Sequence, residues 1–167
     1  MAPRFELSRY LPYQLSIVSS RLSRALEQAI RQDTGLSRHE WRILALTQEM
    51  GTCLAAELVC RSSLDAVAVH RAVKKLQEDG LIERGSDSRD KRSRPLRLTT
   101  KGLDMYESVS PHAARLQEQL LAVLGSREAK SFSDAMEKLM QWDLGSKDRF
   151  PNRGVDDPAS ISCTAKG

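Results

Sequence analysis

The chain has 167 residues, a formal net charge of +4 and a sequence pI near 9.1. That length fits one domain with an appended element and does not favour a second full domain. The mild net charge does not by itself indicate a nucleic-acid partner. Between residues 61 and 101, however, 11 Lys and Arg stand against 6 Asp and Glu, and this excess of +5 exceeds that of the whole chain.

The first residues of the chain and its cysteines indicate the cellular compartment in which the protein is expected. The opening residues, MAPRFELSRYLP, lack the apolar core and cleavage site of a signal peptide, and no stretch reaches the ~18 apolar residues of a membrane span. Cys53, Cys60 and Cys163 include no CxxC pair, so the sequence supports neither a disulfide framework nor a zinc site. We expect a cytoplasmic protein with free thiols, no cofactor, no metal and no membrane partner.

The first half of the chain predicts four helices. An apolar stripe at steps of three and four indicates a first helix from about Ser8 to Gln32, ended by Gly35. Ser37 and Glu40 have the spacing of a capping box for a second helix, which Gly51 ends. The third is short, CLAAELVC, with Thr52 as the expected cap. The fourth lies in LDAVAVHRAVKKLQEDG, between the N-cap Asp65 and Gly80.

After Gly80 the apolar period changes and then returns to helical. Leu81 to Arg84 and Leu96 to Thr99 read as two strands around a charged tip, which predicts a hairpin. From Thr100 onward we expect helices with a kink at Pro111 and a break at Gly125. Residues 145–167 carry few large apolar side chains and are expected to be disordered.

This order of elements predicts a mainly α fold with a small β-hairpin wing, an α+β winged helix-turn-helix. In such modules the last helix before the hairpin enters the DNA major groove, and the hairpin reaches the neighbouring backbone or minor groove. The fourth helix and the hairpin tip are therefore the places to look for DNA-contacting residues.

One face of the fourth helix is apolar and the other is basic. At 100° per residue, Ala72, Val73 and Leu76 fall on the side of Val69. The opposite side carries small side chains near the helix N-terminus and long cations behind them, which suits contact with thymine methyl groups, guanine edges and phosphates. An ordinary solvated helix is the alternative for this helix alone. The candidate DNA-contacting residues are Ala66, Val67, Ala68, His70, Arg71, Lys74 and Lys75.

The hairpin tip, DSRDKRSRP, strengthens the case for DNA. Between residues 84 and 101, seven cations stand against Asp87 and Asp90. Closely spaced cations repel, so the cluster favours an anionic partner over a solvated loop. Asp90 is expected to pair with a neighbouring guanidinium and to orient it for a narrow groove. The candidate DNA-contacting residues here are Arg89, Asp90, Lys91, Arg92 and Arg94.

These segments resemble the MarR family of bacterial transcriptional regulators. The matching pieces are GLSRHEWRIL, LDAVAVHRAVKKLQEDGLIER and DSRDKRSRPLRLTTKG, the last of which is similar to the D-x-x-D-R-R wing and L-T-x-x-G of the family. Asp90 and Arg92 match that pattern directly. Lys91 replaces an arginine, which keeps the charge but not the fork geometry.

The resemblance implies a homodimer whose first and last helices intertwine, and which binds a pseudo-palindromic operator as a repressor. It also implies release by a small, aromatic, anionic effector bound between the dimer helices and the winged module. The stretch RYLPYQLSIVSSRLSRALE is similar to the branch that answers to aromatic acids or their coenzyme A thioesters. The resulting domains are an N-terminal dimerisation helix (8–34), a DNA-binding domain (35–100), C-terminal dimerisation helices (101–143) and the tail (144–167).

Candidate effector contacts lie on the first two helices, where tyrosines could stack on a ring and a cation could pair with a carboxylate. Surface or interface positions are the alternative for each of them, Trp41 is expected in the core, and His112 is left undecided. The candidates are Tyr10, Tyr13, Ser16, Ser20, Arg21, His39 and Arg42.

Two other functions are weaker. A MarR-type regulator of stress or efflux genes remains the alternative, with redox sensing less favoured because peroxide-sensing members of the family keep their reactive cysteine in the first helix. An enzyme is not expected, since the chain has no Walker A loop, GxGxxG, HExxH or GxSxG pattern.

Overall fold

A computed structural model describes residues 5–85 and 95–142 of the chain. Its described residues fall into two compact units, one ending at Leu116 and the other beginning at Gln117. A 3-10 turn, Leu7–Arg9, precedes the first α-helix. The further elements in chain order are α1 (Leu11–Thr34), α2 (Arg38–Met50), α3 (Ala55–Ser62), α4 (Ala66–Glu78), β1 (Ile82–Arg84), β2 (Leu96–Leu98) and α5 (Thr100–Met140).

Most expected helix ends are confirmed. Gly35 ends α1 in the left-handed region with φ of 69°. The capping box of α2 is present: the Glu40 backbone N–H donates to Ser37 Oγ at 3.3 Å, and the Ser37 N–H donates to the Glu40 carboxylate at 2.8 Å. Local sequence therefore sets the turn between α1 and α2.

The start of α3 differs from the prediction. Thr52 does not cap it; the helix begins at Ala55, and the Leu54 N–H donates to the Glu57 carboxylate at 2.7 Å. The reason is that Cys53 forms an isolated antiparallel bridge with Leu96. The Cys53 nitrogen lies 3.0 Å from the Leu96 carbonyl oxygen, and the Leu96 nitrogen lies 2.7 Å from the Cys53 carbonyl oxygen. Pairing with β2 thus holds the chain extended before α3 begins.

The core of the first unit joins α1, α2, α3, α4 and the hairpin. Leu44, Leu58, Leu76 and Leu96 are each fully buried, and they come from four different elements. Burying such a side chain contributes roughly 1.5 to 3 kcal/mol, so this cluster fixes α4 and the hairpin as one body. Trp41, which was expected in the core, is partly buried and packs against the edge of the cluster.

The hairpin prediction is confirmed. Strands β1 and β2 pair antiparallel with Ile82 opposite Leu98 and Arg84 opposite Leu96. The carbonyl of Leu81 approaches Gly102 so closely that any side chain at residue 102 would collide with backbone. A glycine in the first turn of α5 therefore lets this helix pack directly against the start of the wing, by which we mean the hairpin from Ile82 to Leu98.

Helix α5 corrects the expectation at Pro111. Backbone angles stay helical through Pro111 and depart from helical values at Gly125 (φ 71°, ψ 159°), where the break was expected. Proline removes the N–H that would bond to the carbonyl of Glu107, and the Ser110 hydroxyl donates to that carbonyl at 3.5 Å instead. A neighbouring serine thus helps the helix to continue past the proline.

No helix in the described ranges is long and apolar enough to cross a membrane. Cys53 is buried with its thiol free, whereas Cys60 is disulfide-bonded, which corrects the expectation of free thiols at that position.

Candidate nucleic-acid interface and effector cavity

Helix α4 has the two faces that its sequence predicts. Asp65 caps its N-terminus, since Asp65 Oδ1 accepts a hydrogen bond from the Ala68 N–H at 2.7 Å. Its inner face is buried through Val69, Ala72, Val73 and Leu76. The position of the helix is therefore set by apolar packing, which leaves the opposite face to solvent.

The outer face carries the candidate DNA contacts. Six of the seven predicted residues are exposed, and Ala68 is half-buried. The exposed residues are Ala66, Val67, His70, Arg71, Lys74 and Lys75. Val67 is a large apolar side chain that is 69 % exposed near the N-terminus of the helix, in a place where a thymine methyl group could cover it.

The cations of this face differ in their pairing. Lys75 Nζ lies 2.7 Å from Asp79 Oδ1, and Lys74 Nζ lies 3.7 Å from Glu78 Oε1. Within residues 5–85 and 95–142, no carboxylate pairs with Arg71. Arg71 is therefore the cation of α4 that is most available to a phosphate or a base edge.

A groove separates the outer face of α4 from the base of the wing. Its volume is about 520 Å³, and it is lined by His70, Arg71, Val73, Lys74, Gln77 and Arg84. Arg84 Nε of β1 donates to Gln77 Oε1 of α4 at 3.4 Å. Because three cations and a histidine line one groove, its charge suits a polyanion such as a DNA backbone.

The predicted tip residues Arg89, Asp90, Lys91, Arg92 and Arg94 lie outside the described residues. At the base of the wing, Arg97 Nε of β2 donates to Glu83 Oε1 of β1 at 2.7 Å. This cross-strand ion pair neutralises one of the hairpin cations that the sequence analysis counted.

The C-terminal turn of α4 meets the start of α5. Gly80 has φ of 71°, and the Leu81 N–H donates to the Leu76 carbonyl at 2.8 Å, which is the six-to-one bond of a Schellman motif. Lys101 Nζ donates to the Asp79 carbonyl at 2.8 Å, and Thr99 Oγ1 donates to the Gly80 carbonyl at 2.7 Å. Two residues beside the wing therefore bind the carbonyls of the two residues that directly follow the helix with the candidate DNA contacts.

A second cavity, of about 390 Å³, lies between the end of α1 and the first turns of α5. Within the described residues it combines apolar walls with two carboxylates, an ammonium, an imidazole and two hydroxyls. His112, which the sequence left undecided, faces this cavity. The lining residues are Ile30, Asp33, Thr34, Lys101, Asp104, Met105, Ser108 and His112.

Comparison with known proteins finds similar sequences and structures. Residues 34–93 match the sequence model of the MarR family. A regulator of the MarR/EmrR family from Acinetobacter sp. ADP1 is 29 % identical, with a TM-score of 0.74 over 81 % of this chain and 96 % of its own. The comparisons support a MarR-family winged-helix transcriptional regulator.

Two further proteins are similar to this chain. The chain is 23 % identical to YwoH of Bacillus subtilis, an uncharacterised HTH-type transcriptional regulator, over 81 % of this chain and 97 % of that protein. BpsR of Bordetella bronchiseptica, whose DNA binding is regulated by 6-hydroxynicotinic acid, shares the fold with a TM-score of 0.74 at 19 % identity, over 84 % of this chain and all of its own. The MarR-family relatives are transcriptional regulators rather than enzymes.

The predicted effector contacts do not line this cavity. None of the seven lines the cavity between α1 and α5. Arg42 Nη1 donates to the Ser62 carbonyl at 2.9 Å and so caps the end of α3. Tyr10, Tyr13, Ser16 and Arg21 are exposed on or beside α1, while Ser20 and His39 are half-buried.

Sequence reasoning missed Gln77 in the groove and most of the cavity lining. Gln77 is three residues beyond Lys74 on α4, so helical spacing from Lys74 could have added it to the outer face. The cavity residues gave no local signal, because they come from the end of α1 and from α5, whose contact depends on tertiary packing.

Proposed function

We propose that this MarR-family regulator binds a pseudo-palindromic operator by placing the outer face of α4 in the major groove. The observation that carries the proposal is the groove lined by His70, Arg71, Lys74 and Arg84 beside the apolar, exposed Val67. Long cations suit phosphates and guanine edges, while small and apolar side chains near the helix start allow close approach. The wing tip, with Arg92 and its neighbours, adds contacts to the adjacent backbone or minor groove.

The proposed regulator is a homodimer. On α1, Leu11, Leu15 and Val18 are 69 %, 41 % and 44 % exposed. In the second unit, Val123 and Met140 are 84 % and 81 % exposed. Exposed apolar side chains, which in α1 recur at helical spacing, mark surfaces that another subunit covers. This supports residues 8–34 and 101–143 as dimerisation helices that flank a DNA-binding domain at 35–100.

The proposed effector is a small aromatic acid or its coenzyme A thioester, and its binding releases the repressor from an aromatic catabolic operon. The cavity between α1 and α5 offers the chemistry for a hydroxylated ring acid. Lys101 and His112 can pair with a carboxylate, Asp33 or Asp104 can accept a hydrogen bond from a ring hydroxyl, and Ile30 and Met105 can pack against the ring. The regulation of BpsR by 6-hydroxynicotinic acid is a precedent in the same fold.

The alternative is a regulator of stress or efflux genes, and within it a redox switch at Cys53 has less support. Burial raises the pKa of the Cys53 thiol, and the neutral thiol is a poor nucleophile. Cys53 is also only 2 % exposed, so an oxidant has little access to it. We therefore propose that the regulator responds to an effector bound in the cavity rather than to oxidation of this thiol.

Two linked measurements test the proposal. The full-length protein selects duplexes from a random library, and fluorescence anisotropy then gives the affinity for the enriched duplex. A thermal-shift screen of hydroxybenzoates, hydroxynicotinates, hydroxycinnamates and their coenzyme A thioesters follows, with a release assay for each compound that binds. Release by a ring acid or thioester supports the effector class. Release by oxidants alone would favour the redox alternative.

A further inference from the structure

The end of α4 is capped by residues from outside the helix. Asp79 is the C-cap residue of α4 and Gly80 follows it, and their carbonyls accept hydrogen bonds from Lys101 and Thr99. A cation at a helix C-terminus also interacts favourably with the helix dipole. The start of α5 therefore stabilises the last turn of the helix that carries the DNA-facing residues.

Asp79 forms hydrogen bonds both with Lys101, at the end of α4, and with Lys75, on the outer face of α4. Its main-chain carbonyl accepts from Lys101 Nζ at 2.8 Å, and its side-chain Oδ1 accepts from Lys75 Nζ at 2.7 Å. The Lys75 side chain is 51 % exposed on the outer face of α4. One residue thus holds a DNA-facing ammonium with its side chain while its backbone is held by α5.

Lys101 also lines the cavity between α1 and α5. An ammonium has three N–H donors, so the bond to Asp79 leaves two for groups in the cavity. The same side chain is therefore within reach of both the cavity contents and the end of α4.

We propose that Lys101 is a positioning residue for DNA binding, which fixes the last turn of α4 and, through Asp79, the ammonium of Lys75. This inference rests on the proposed DNA-binding function. It makes Lys101 a direct link between the cavity and the DNA-facing surface. A group in the cavity that draws the ammonium away from the Asp79 carbonyl loosens the turn that holds Lys75.

The test compares Lys101→Met with Lys101→Arg and with Lys138→Met. Lys138 is an exposed lysine in the last turn of α5 and makes no ion pair within the described residues, so its substitution removes the same charge without touching α4. Anisotropy with a duplex selected by the full-length protein gives the affinity. Carbon-13 NMR of the Lys75 side chain, titrated with base, reports its pKa, which its hydrogen bond to Asp79 raises.

We expect Lys101→Met to weaken DNA binding by about three- to tenfold and to move the pKa of Lys75 back toward its ordinary value. Lys101→Arg, which keeps a cationic donor, restores both. Lys138→Met changes neither by a comparable amount. If Lys101→Met left the titration of Lys75 unchanged, the proposal would be overturned even if DNA binding weakened, because the loss would then be one of net charge.

If the Lys101→Met variant is less stable than the wild type, a double-mutant cycle with Asp79→Asn still tests the proposal. Asp79→Asn removes the carboxylate but keeps the carbonyl that Lys101 binds, so it lowers the pKa of Lys75 with the cap intact. If Lys101 acts through Asp79, adding Lys101→Met to Asp79→Asn changes that pKa no further, and an additive change contradicts the proposal. The Lys75 titration needs no DNA, so a failure of the wild type to bind any duplex would contradict the proposed function separately.

Discussion

The indole ring of Trp41 on α2 stacks on the phenol ring of Tyr106 on α5, with ring centroids 5.7 Å apart and planes inclined by 17°. Both residues pack against the buried core of the first unit. The stack joins the winged helix-turn-helix to the helix that lines the cavity, at a point separate from the Lys101 contact. Helix α5 is therefore tied to the DNA-binding elements through both apolar and polar contacts.

Tyr106→Ala removes this stack and is expected to lower the free energy of unfolding by about 1 to 3 kcal/mol. Tyr106→Phe keeps the ring and is the matched control, with a change within about 0.5 kcal/mol. Urea unfolding followed by Trp41 fluorescence measures both. Equal stability of the alanine and phenylalanine variants would show that the stack contributes nothing.

Asp65→Ala removes the N-cap of α4 and is expected to cost about 1 kcal/mol of stability. Because the first turn of α4 carries Ala66, Val67 and Ala68, the affinity for DNA also falls. Asp65→Asn retains a capping oxygen and preserves most of both quantities. Circular dichroism melts and anisotropy check the two effects, and an alanine variant as stable as the wild type would contradict the assigned cap.

Arg71→Ala should weaken operator binding by about 1 to 3 kcal/mol. It should also reduce, by about one, the steepness with which the logarithm of the affinity falls with the logarithm of the salt concentration, which we call the salt slope. Arg97→Ala is the control, because the Arg97 guanidinium is paired with Glu83 at 2.7 Å and removing it subtracts the same charge. Affinity measured over a range of salt concentrations distinguishes the two. An equal loss in both variants would mean that net charge matters and the groove does not.

Arg92→Ala tests the wing tip, which the sequence alone assigns to DNA contact. We expect binding to weaken by about 1 to 3 kcal/mol and the salt slope to fall. A gel-shift titration at several salt concentrations is sufficient. Identical affinity and slope for variant and wild type would remove the tip from the mechanism.

Cys53 predicts a pH dependence of stability in the alkaline range. Burial raises the pKa of its thiol above the ordinary 9.0, although a hydrogen bond with Thr47 lowers it in part. The folded state thus holds the proton more tightly than the unfolded state. This contribution to stability is complete below the unfolded pKa and is lost as pH rises through the folded pKa. Urea unfolding between neutral pH and about pH 10 should show a steeper decline for the wild type than for Cys53→Ala, and parallel curves would contradict this account.

The local parts of this fold could be predicted from the sequence because short-range hydrogen bonds decide them. The Ser37 and Glu40 capping box, the Asp65 cap and the apolar face of α4 need only neighbours within one or two helical turns. The candidate DNA-facing residues of α4 followed from the same periodicity, since the buried face defines the exposed one.

The remaining features depend on contacts between residues far apart in the chain. Thr52 failed as a cap because Leu96 pairs with Cys53. Arg42, a candidate effector contact, donates to the carbonyl of Ser62, 20 residues further along the chain. The cavity joins Asp33 of α1 to Lys101 of α5, and helical periodicity identifies the apolar face of each helix without showing which helices pack together.

Selection of DNA by the full-length protein tests the central claim most directly. A dimer with one α4 helix in each of two successive major grooves should enrich an inverted repeat whose half-sites lie about one helical turn, 10 to 10.5 base pairs, apart. Anisotropy should then show that the enriched duplex binds at least ~10³-fold more tightly than a scrambled duplex at physiological salt. Recovery of no repeat, with equal affinity for both duplexes, would contradict the assignment of α4 and the wing as a sequence-reading surface.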